Sequence, residues 1–242
     1  MSGTAHPEGH STLAVAGGVV LLGDRTSASA ALDERALAQA AGAAVKRALG
    51  RDVPVLYGMQ EHSRLTFTFS AAGPLSPGPH FVGRCDALIT GEPWTALVVR
   101  TADCLPVALA GGGAVAMVHA GWRGLASDVL GAAVGRLRAE FGVPADALDA
   151  VVGVGVGPCH YRVGPEVAAG LERNAVDGDG WRGAGVVDLA AYAAGRLAAL
   201  GHGPERVRVL PGCTACSPQY HSYRRDGAGA GRQWNAIVLT LA

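Results

Sequence analysis

Three short segments hold the side chains best suited to chemistry: Gln60-Glu61-His62, Thr101-Ala102-Asp103-Cys104 and His119-Ala120-Gly121-Trp122-Arg123-Gly124. Between them they offer two imidazoles and one thiol, beside segments that read as strand ends. A structural zinc is normally closed by four protein ligands, whereas a catalytic zinc keeps three and leaves one place for water or substrate. His62, Cys104 and His119 are therefore a candidate zinc site with an open position. Singly, a histidine is usually structural or exposed and a cysteine usually a small buried residue; joint occurrence in three such motifs favours metal. Asp103 is a candidate acid or base beside Cys104, its plainer role being to orient the turn. Arg123 is a candidate anion contact.

The elements that position these residues follow from local patterning. Leu37, Ala41, Ala44, Val45 and Ala48 form an apolar stripe, predicting a helix over Asp33 to Leu49 that Gly50 stops. Strands are predicted over Val53 to Tyr57, Arg64 to Phe69, Asp86 to Thr90, Ala96 to Val99, Pro106 to Ala110 and Ala114 to Val118. Leu125, Val129, Ala133, Leu137 and Phe141 recur every four residues, predicting one helix that starts just beyond Arg123 and ends at Gly142. Amides and dipole at its start would attract a phosphate or carboxylate. A strand over Asp149 to Val156, a helix opened by Pro165, a helix over Leu189 to Leu200 capped by Asp188, and strands over Val207 to Leu210 and Ile237 to Leu241 complete the pattern.

With 242 residues, 49% of them hydrophobic and 17% charged, the chain can bury one sizeable α/β core, so residues 1–242 are read as a single domain. Lys+Arg and Asp+Glu are both 20, which disfavours nucleic acid and anionic membrane as bulk partners. Met1 to His10 is polar and Val19 to Leu22 is too short for a signal peptide or membrane span, so a cytoplasmic location is expected. Five cysteines then suggest reduced thiols rather than a disulfide framework. Cys213-Thr214-Ala215-Cys216 is one isolated pair and reads as turn-forming, reduced cysteines; Cys85, His80, His160 and His221 are left outside the metal set, with Cys159 and His160 bordering the cleft.

The chain resembles the purine nucleoside phosphorylase, or polyphenol oxidase, family of bacterial YfiH and YlmD-type proteins, related to animal FAMIN. The resemblance rests on Gln60-x-His62, Thr101-Ala102-Asp103-Cys104-x-Pro106, His119 to Gly124, Gly157-Pro158-Cys159-x-Tyr161-x-Val163-Gly164, and Ser222 to Gly227 with Gly231-Arg232-Gln233. It implies zinc held by His62, Cys104 and His119, and a pocket for a purine nucleoside and phosphate. The implied activity is phosphorolysis, with adenosine deamination and methylthioadenosine cleavage alongside. It also implies an α/β/β/α fold in which mixed sheets pack between outer helices. Residues 1–52 depart from the family: Gly17-Gly18-Val19 runs into Val20-Leu21-Leu22, and the first asparagine of the chain is Asn174. Arg162 stands where an acidic residue is common, reversing a charge near the expected cleft.

Three other readings use the same residues. Cys104 could be a nucleophile with His119 as its base, cleaving an amide such as a misincorporated cell-wall precursor residue. Copper-dependent phenol oxidation would need many imidazoles, and eight histidines without a His-x-His pair make copper the weaker cofactor. The altered N-terminal segment leaves room for nucleoside binding without turnover. Arg224, Arg225 and Arg232 would contact phosphate or ribose, or form a solvated loop surface.

Overall fold

The computed structural model describes residues 4–6, 10–26, 33–71, 73, 75–174 and 180–240, with backbone alone for 4–6. One sheet has the order β1 (Thr4–His6), β2 (His10–Val15), β3 (Gly18–Gly23), β15 (Gln233–Leu239), β8 (Ala96–Thr101), β4 (Pro54–Met59), β6 (Gly78–Arg84). The other runs β14 (Val207–Val209), β11 (Asp149–Val152), β9 (Leu105–Gly111), β10 (Ala114–Ala120), β7 (Ala87–Thr90), β5 (Thr66–Phe69). A small hairpin joins β12 (Arg182–Gly183) to β13 (Val186–Val187). Both large sheets mix parallel and antiparallel pairs.

The sheets face each other across a core that includes Leu22, Leu56, Leu97, Val115, Met117 and Ile237. Helix α1 (Glu34–Leu49) covers the outer face of the first sheet with Leu37, Ala41 and Val45 against Val55, Val98 and Trp234. On the outer face of the second lie α2 (Trp122–Ala126), α3 (Val129–Phe141), α4 (Pro165–Glu172) and α5 (Leu189–Ala199), while α6 (Tyr223–Asp226) is a single turn. This is the expected α/β/β/α arrangement. Strands β9 and β10 are buried along their whole length, which explains why they read as continuous apolar runs rather than as alternation.

Gly50 stops α1 and Asp188 caps α5 as the sequence suggests, whereas Asp33, expected as the first helical residue, is instead the N-cap of a helix that begins at Glu34. The Asp33 carboxylate accepts from Arg35 N–H, Gly50 closes α1 at a φ of 73°, and the Asp188 carboxylate accepts from the amides of Ala190 and Ala191. Other boundaries differ. The single helix expected beyond Arg123 begins at Trp122 and is broken in two, because Asp128 takes a φ of 66°, caps α3 through Gly131 N–H and pairs with Arg196. The strand expected over Asp149 to Val156 stops at Val152, where the backbone turns to bond Pro106 and Asp103. Strands β2, β3 and β6 arise from segments not assigned by pattern, and Leu241 lies outside the described residues.

The chain steps from the first sheet to the second three times: from β4 to β5, from β6 to β7 and from β8 to β9. His62, Asp86 and Cys104 lie on those three crossings.

Candidate metal centre

Asp86 organises the centre and is the residue that sequence reasoning missed. It is 1% exposed, and its carboxylate accepts from the amides of Glu61 (3.2 Å), His62 (3.0 Å) and Ser63 (2.7 Å) and from Ser63 Oγ (2.6 Å). The loop carrying His62 is thus wrapped around one buried charge, with His62 itself at a φ of 58°. The same carboxylate accepts from His119 Nδ1 at 2.8 Å, which directs the other ring nitrogen away from Asp86. A carboxylate behind an imidazole is the usual way to fix the tautomer and orientation of a metal ligand. The only trace of it in the sequence is an acid at the start of a buried apolar strand.

The three proposed donors do come together: ligand atoms of His62, Cys104 and His119 lie within 4.8 Å of one another. The two imidazoles meet edge to face with centroids 4.9 Å apart. The set grades from buried His119 through half-buried Cys104 to exposed His62. Gly121 makes the convergence possible, since a Cβ there would stand 2.8 Å from both Cys104 Sγ and His62 Cδ2. One thiolate and two neutral imidazoles in reach of one ion, with one imidazole held from behind, fit a three-ligand metal site.

Charge placement favours a thiolate. Burial opposes ionisation of Cys104, but the neighbouring His119 charge and hydrogen bonds from His119 and His62 bring its thiol down to about 6. His119 is disfavoured by burial and raised to about 9 by Cys104 and Asp86. Asp86, also opposed by burial, falls to about 2 through its bonds with His119 and Ser63. A metal ion would take the place of the His119 proton in this balance.

The donors open into a cleft of about 560 Å³. Arg123 and Arg232 line it with no carboxylate partner among the described residues, and Trp122, Tyr161 and Tyr223 supply flat aromatic surface. Arg100 also faces the cleft but pairs with Glu34. Gln60 does not ligate. Its side chain donates to Arg100 O and accepts from Arg100 N–H, tying the His62 loop to β8. Asp103 lines the cleft at a φ of 87°, with one carboxylate oxygen accepting from Thr214 Oγ1 and the other from Arg224 N–H, both at 2.5 Å. Helix α2 has only five residues, so the guanidinium of Arg123 rather than a long helix dipole supplies positive charge there.

The arginines of the last motif separate. Arg224 and Arg232 line the cleft, with Arg224 lying over the Tyr161 ring at 5.1 Å. Arg225 turns inward to the carbonyls of Thr214, Ser217 and Tyr220 and holds the loop together. Cys159 and His160 do not line the cleft; their neighbour Tyr161 does, and they lie instead beside Cys213 and Cys216. Arg162 is exposed and also outside the lining.

The family described as multi-copper polyphenol oxidoreductase laccase matches residues 25–240. The chain belongs to this family. A purine nucleoside phosphorylase of Xylella fastidiosa is 41% identical over 151 residues, which are 58% of this chain and 56% of that protein. The matched span is thus little more than half the length of that relative. A purine nucleoside phosphorylase of Aquifex aeolicus is 36% identical over 154 residues, covering 64% of this chain and 71% of the relative. The crystal structure of YlmD from Geobacillus stearothermophilus superimposes with a TM-score of 0.84 at 22% identity over 98% of both chains, a likeness of fold. Among the described residues no helix is long and apolar enough to cross a membrane.

Proposed function

We propose that this family member is a metal-dependent purine nucleoside phosphorylase. Its metal would be zinc held by His62, Cys104 and His119, its substrates adenosine, inosine or methylthioadenosine, and residues 1–242 would act as one catalytic unit in the cytoplasm. The observation that carries the reading is the meeting of three metal donors in a cleft of nucleoside size, beside Arg123 and Arg232, which have no carboxylate partner among the described residues. Cavities that take small molecules run to about 300–1,000 Å³, lined by aromatic surface with a few polar groups. The names of the relatives support the substrate class.

One thiolate and two imidazoles suit zinc. Copper is the weaker fit, because His62 and His119 are the only imidazoles among the residues that line the cleft, too few for a multicopper centre. When bound, the metal would supply Lewis-acid polarisation of a substrate oxygen or of water. The chain's own residues do the rest. Arg123 and Arg232 hold phosphate by charge-assisted hydrogen bonds. A phosphate oxygen forms its bond to the anomeric carbon as the glycosidic C–N bond breaks, and the electron pair leaves with the purine, which takes up a proton. Trp122, Tyr161 and Tyr223 offer stacking surface for the base. Tyr161, raised to about 12 chiefly by burial, stays protonated and can donate. Both oxygens of Asp103 are engaged by Thr214 and Arg224, which supports a positioning role over direct proton transfer in deamination.

A second reading has specific support. Asp86, His119 and Cys104 form a carboxylate–imidazole–thiol row with a thiol of lowered pKa, as a cysteine hydrolase requires. The deciding experiment compares wild type with Cys104→Ala for bound zinc and for release of free base from the three nucleosides, with and without phosphate. Loss of about one zinc per chain together with phosphate-dependent base release supports the phosphorylase. Inosine formed from adenosine without phosphate would reveal deamination. Equal zinc in both proteins and no base release would overturn the proposal and favour the thiol row or binding without turnover.

A further inference from the structure

A second group of metal-type donors lies outside the cleft. Cys159 and His160 occupy the turn that follows the segment after β11, and Cys213 and Cys216 the turn that follows β14. These two strands are parallel neighbours, in register from Ala150 and Val207 to Val152 and Val209, so both segments leave the same end of the sheet side by side. His160 Nδ1 is 3.4 Å from Cys159 Sγ, 3.9 Å from Cys213 Sγ and 3.3 Å from Cys216 Sγ. The sulfurs of Cys159 and Cys216 are 3.4 Å apart, and all four ligand atoms lie within 4.8 Å of one another. In a tetrahedral zinc site the bond lengths place sulfurs about 3.8 Å from each other and about 3.6 Å from a ring nitrogen. Three sulfurs gathered around one imidazole nitrogen at these spacings leave room for one central ion.

The surroundings suit thiolates. The amide of Gly157 donates to Cys213 Sγ at 3.1 Å, the kind of outer hydrogen bond that orients a metal-bound sulfur. Among the described residues no acidic side chain belongs to the cluster, and three thiolates with one imidazole select zinc over harder cations.

We propose that Cys159, His160, Cys213 and Cys216 bind one Zn²⁺ in a closed structural site that staples the turn before Tyr161 to the turn around Thr214. Four protein ligands leave no place for substrate, so the site holds structure and does no chemistry. Its effect reaches the cleft through two neighbours. Tyr161 follows His160 directly and lines the cleft; Thr214 stands between the two cysteines of the later pair and donates to Asp103.

The test is made in the Cys104→Ala background, which removes the thiol of the cleft and so separates this site from the proposed catalytic one. Purified without chelator, that protein is expected to retain about one zinc per chain, and the further changes Cys213→Ser and Cys216→Ser are expected to remove it. Cobalt titrated into the zinc-stripped Cys104→Ala protein should give thiolate-to-metal charge transfer that saturates at one equivalent. A second measurement needs no variant: in native wild type, the exposed Cys159 and Cys216 should resist iodoacetamide until a chelator is added, as read by peptide mass spectrometry. Zinc absent from the Cys104→Ala protein, immediate alkylation of both cysteines, or their recovery as a disulfide would each overturn the proposal.

Discussion

The chain gathers soft metal donors in two places, and the two are built differently. His62, Cys104 and His119 are three ligands graded from exposed to buried, backed by the Asp86 carboxylate and open to a cleft. Cys159, His160, Cys213 and Cys216 are four candidate ligands, three of them exposed, with a backbone amide behind one sulfur, and none of them lines the cleft. Ligand count and what stands behind the ligands thus separate the proposed catalytic site from the proposed structural one. In the first the protein invests a buried charge in orientation; in the second it invests sequence distance in closure.

The sharpest way to break this contrast is a crossed pair of substitutions. Cys104→Ala should abolish phosphate-dependent base release while lowering the melting temperature less than the loss of the four-ligand group does. Cys213→Ser should keep measurable turnover but lower the melting temperature by roughly 5–10 °C, the shift expected for a loss of about 2–3 kcal/mol in a chain of this size. If both variants lose activity and stability alike, the two groups are not functionally distinct.

Asp86→Asn comes next in size. It removes the charge facing His119 and offers one acceptor oxygen where the carboxylate serves five donors, so metal affinity of the cleft should fall about 10- to 100-fold. Zinc competition against a chromogenic chelator measures it, and the Cys159 group should be unaffected. Arg123→Ala should raise the KM for phosphate about tenfold, the order of one charge-assisted hydrogen bond, with a smaller change in KM for the nucleoside. Initial rates at varied phosphate test this, and an effect confined to the nucleoside would move Arg123 to the base.

The smallest effect falls at the break between α2 and α3, away from both donor groups. Asp128→Asn keeps a residue that tolerates a positive φ but loses the Arg196 ion pair, costing about 1 kcal/mol at neutral pH. Burial would raise Asp128, but Arg196 holds it below its ordinary value of 3.8. Its contribution is therefore complete above that value and lost as pH falls through the lower folded value, so the stability gap between wild type and variant should close in acid. Urea unfolding at pH 7 and near pH 3 would show it, and a gap that widens in acid would contradict the pairing.

Much of this was legible from local pattern. Helix α1 was readable because the apolar stripe and Gly50 act within one stretch of chain, and the three cleft donors because each sits in its own dense motif. What was hidden depends on distant partners. The αL turn at Asp128 is supported by Arg196, 68 residues on, so a four-residue period alone reads straight through it. Asp86 looks like a strand start until the loop of Glu61 to Ser63 and His119 on β10 are placed around it. Cys213 and Cys216 read as an isolated pair because the other half of their group lies 53 to 57 residues earlier, brought close by the parallel pairing of β11 with β14.

The place of β15 has a consequence for assembly. This late strand is inserted between β3 and β8, antiparallel to both, so the β2–β3 hairpin cannot join the rest of its sheet until residues 233–239 are available. During ribosomal synthesis the nascent chain would hold two unmatched edges until those residues emerge. Gln233, which pairs with Thr101 near Cys104, opens that strand, and Arg232 precedes it directly. A premature stop codon shortly before it would therefore leave an aggregation-prone intermediate and a cleft without Arg232 in the same stroke.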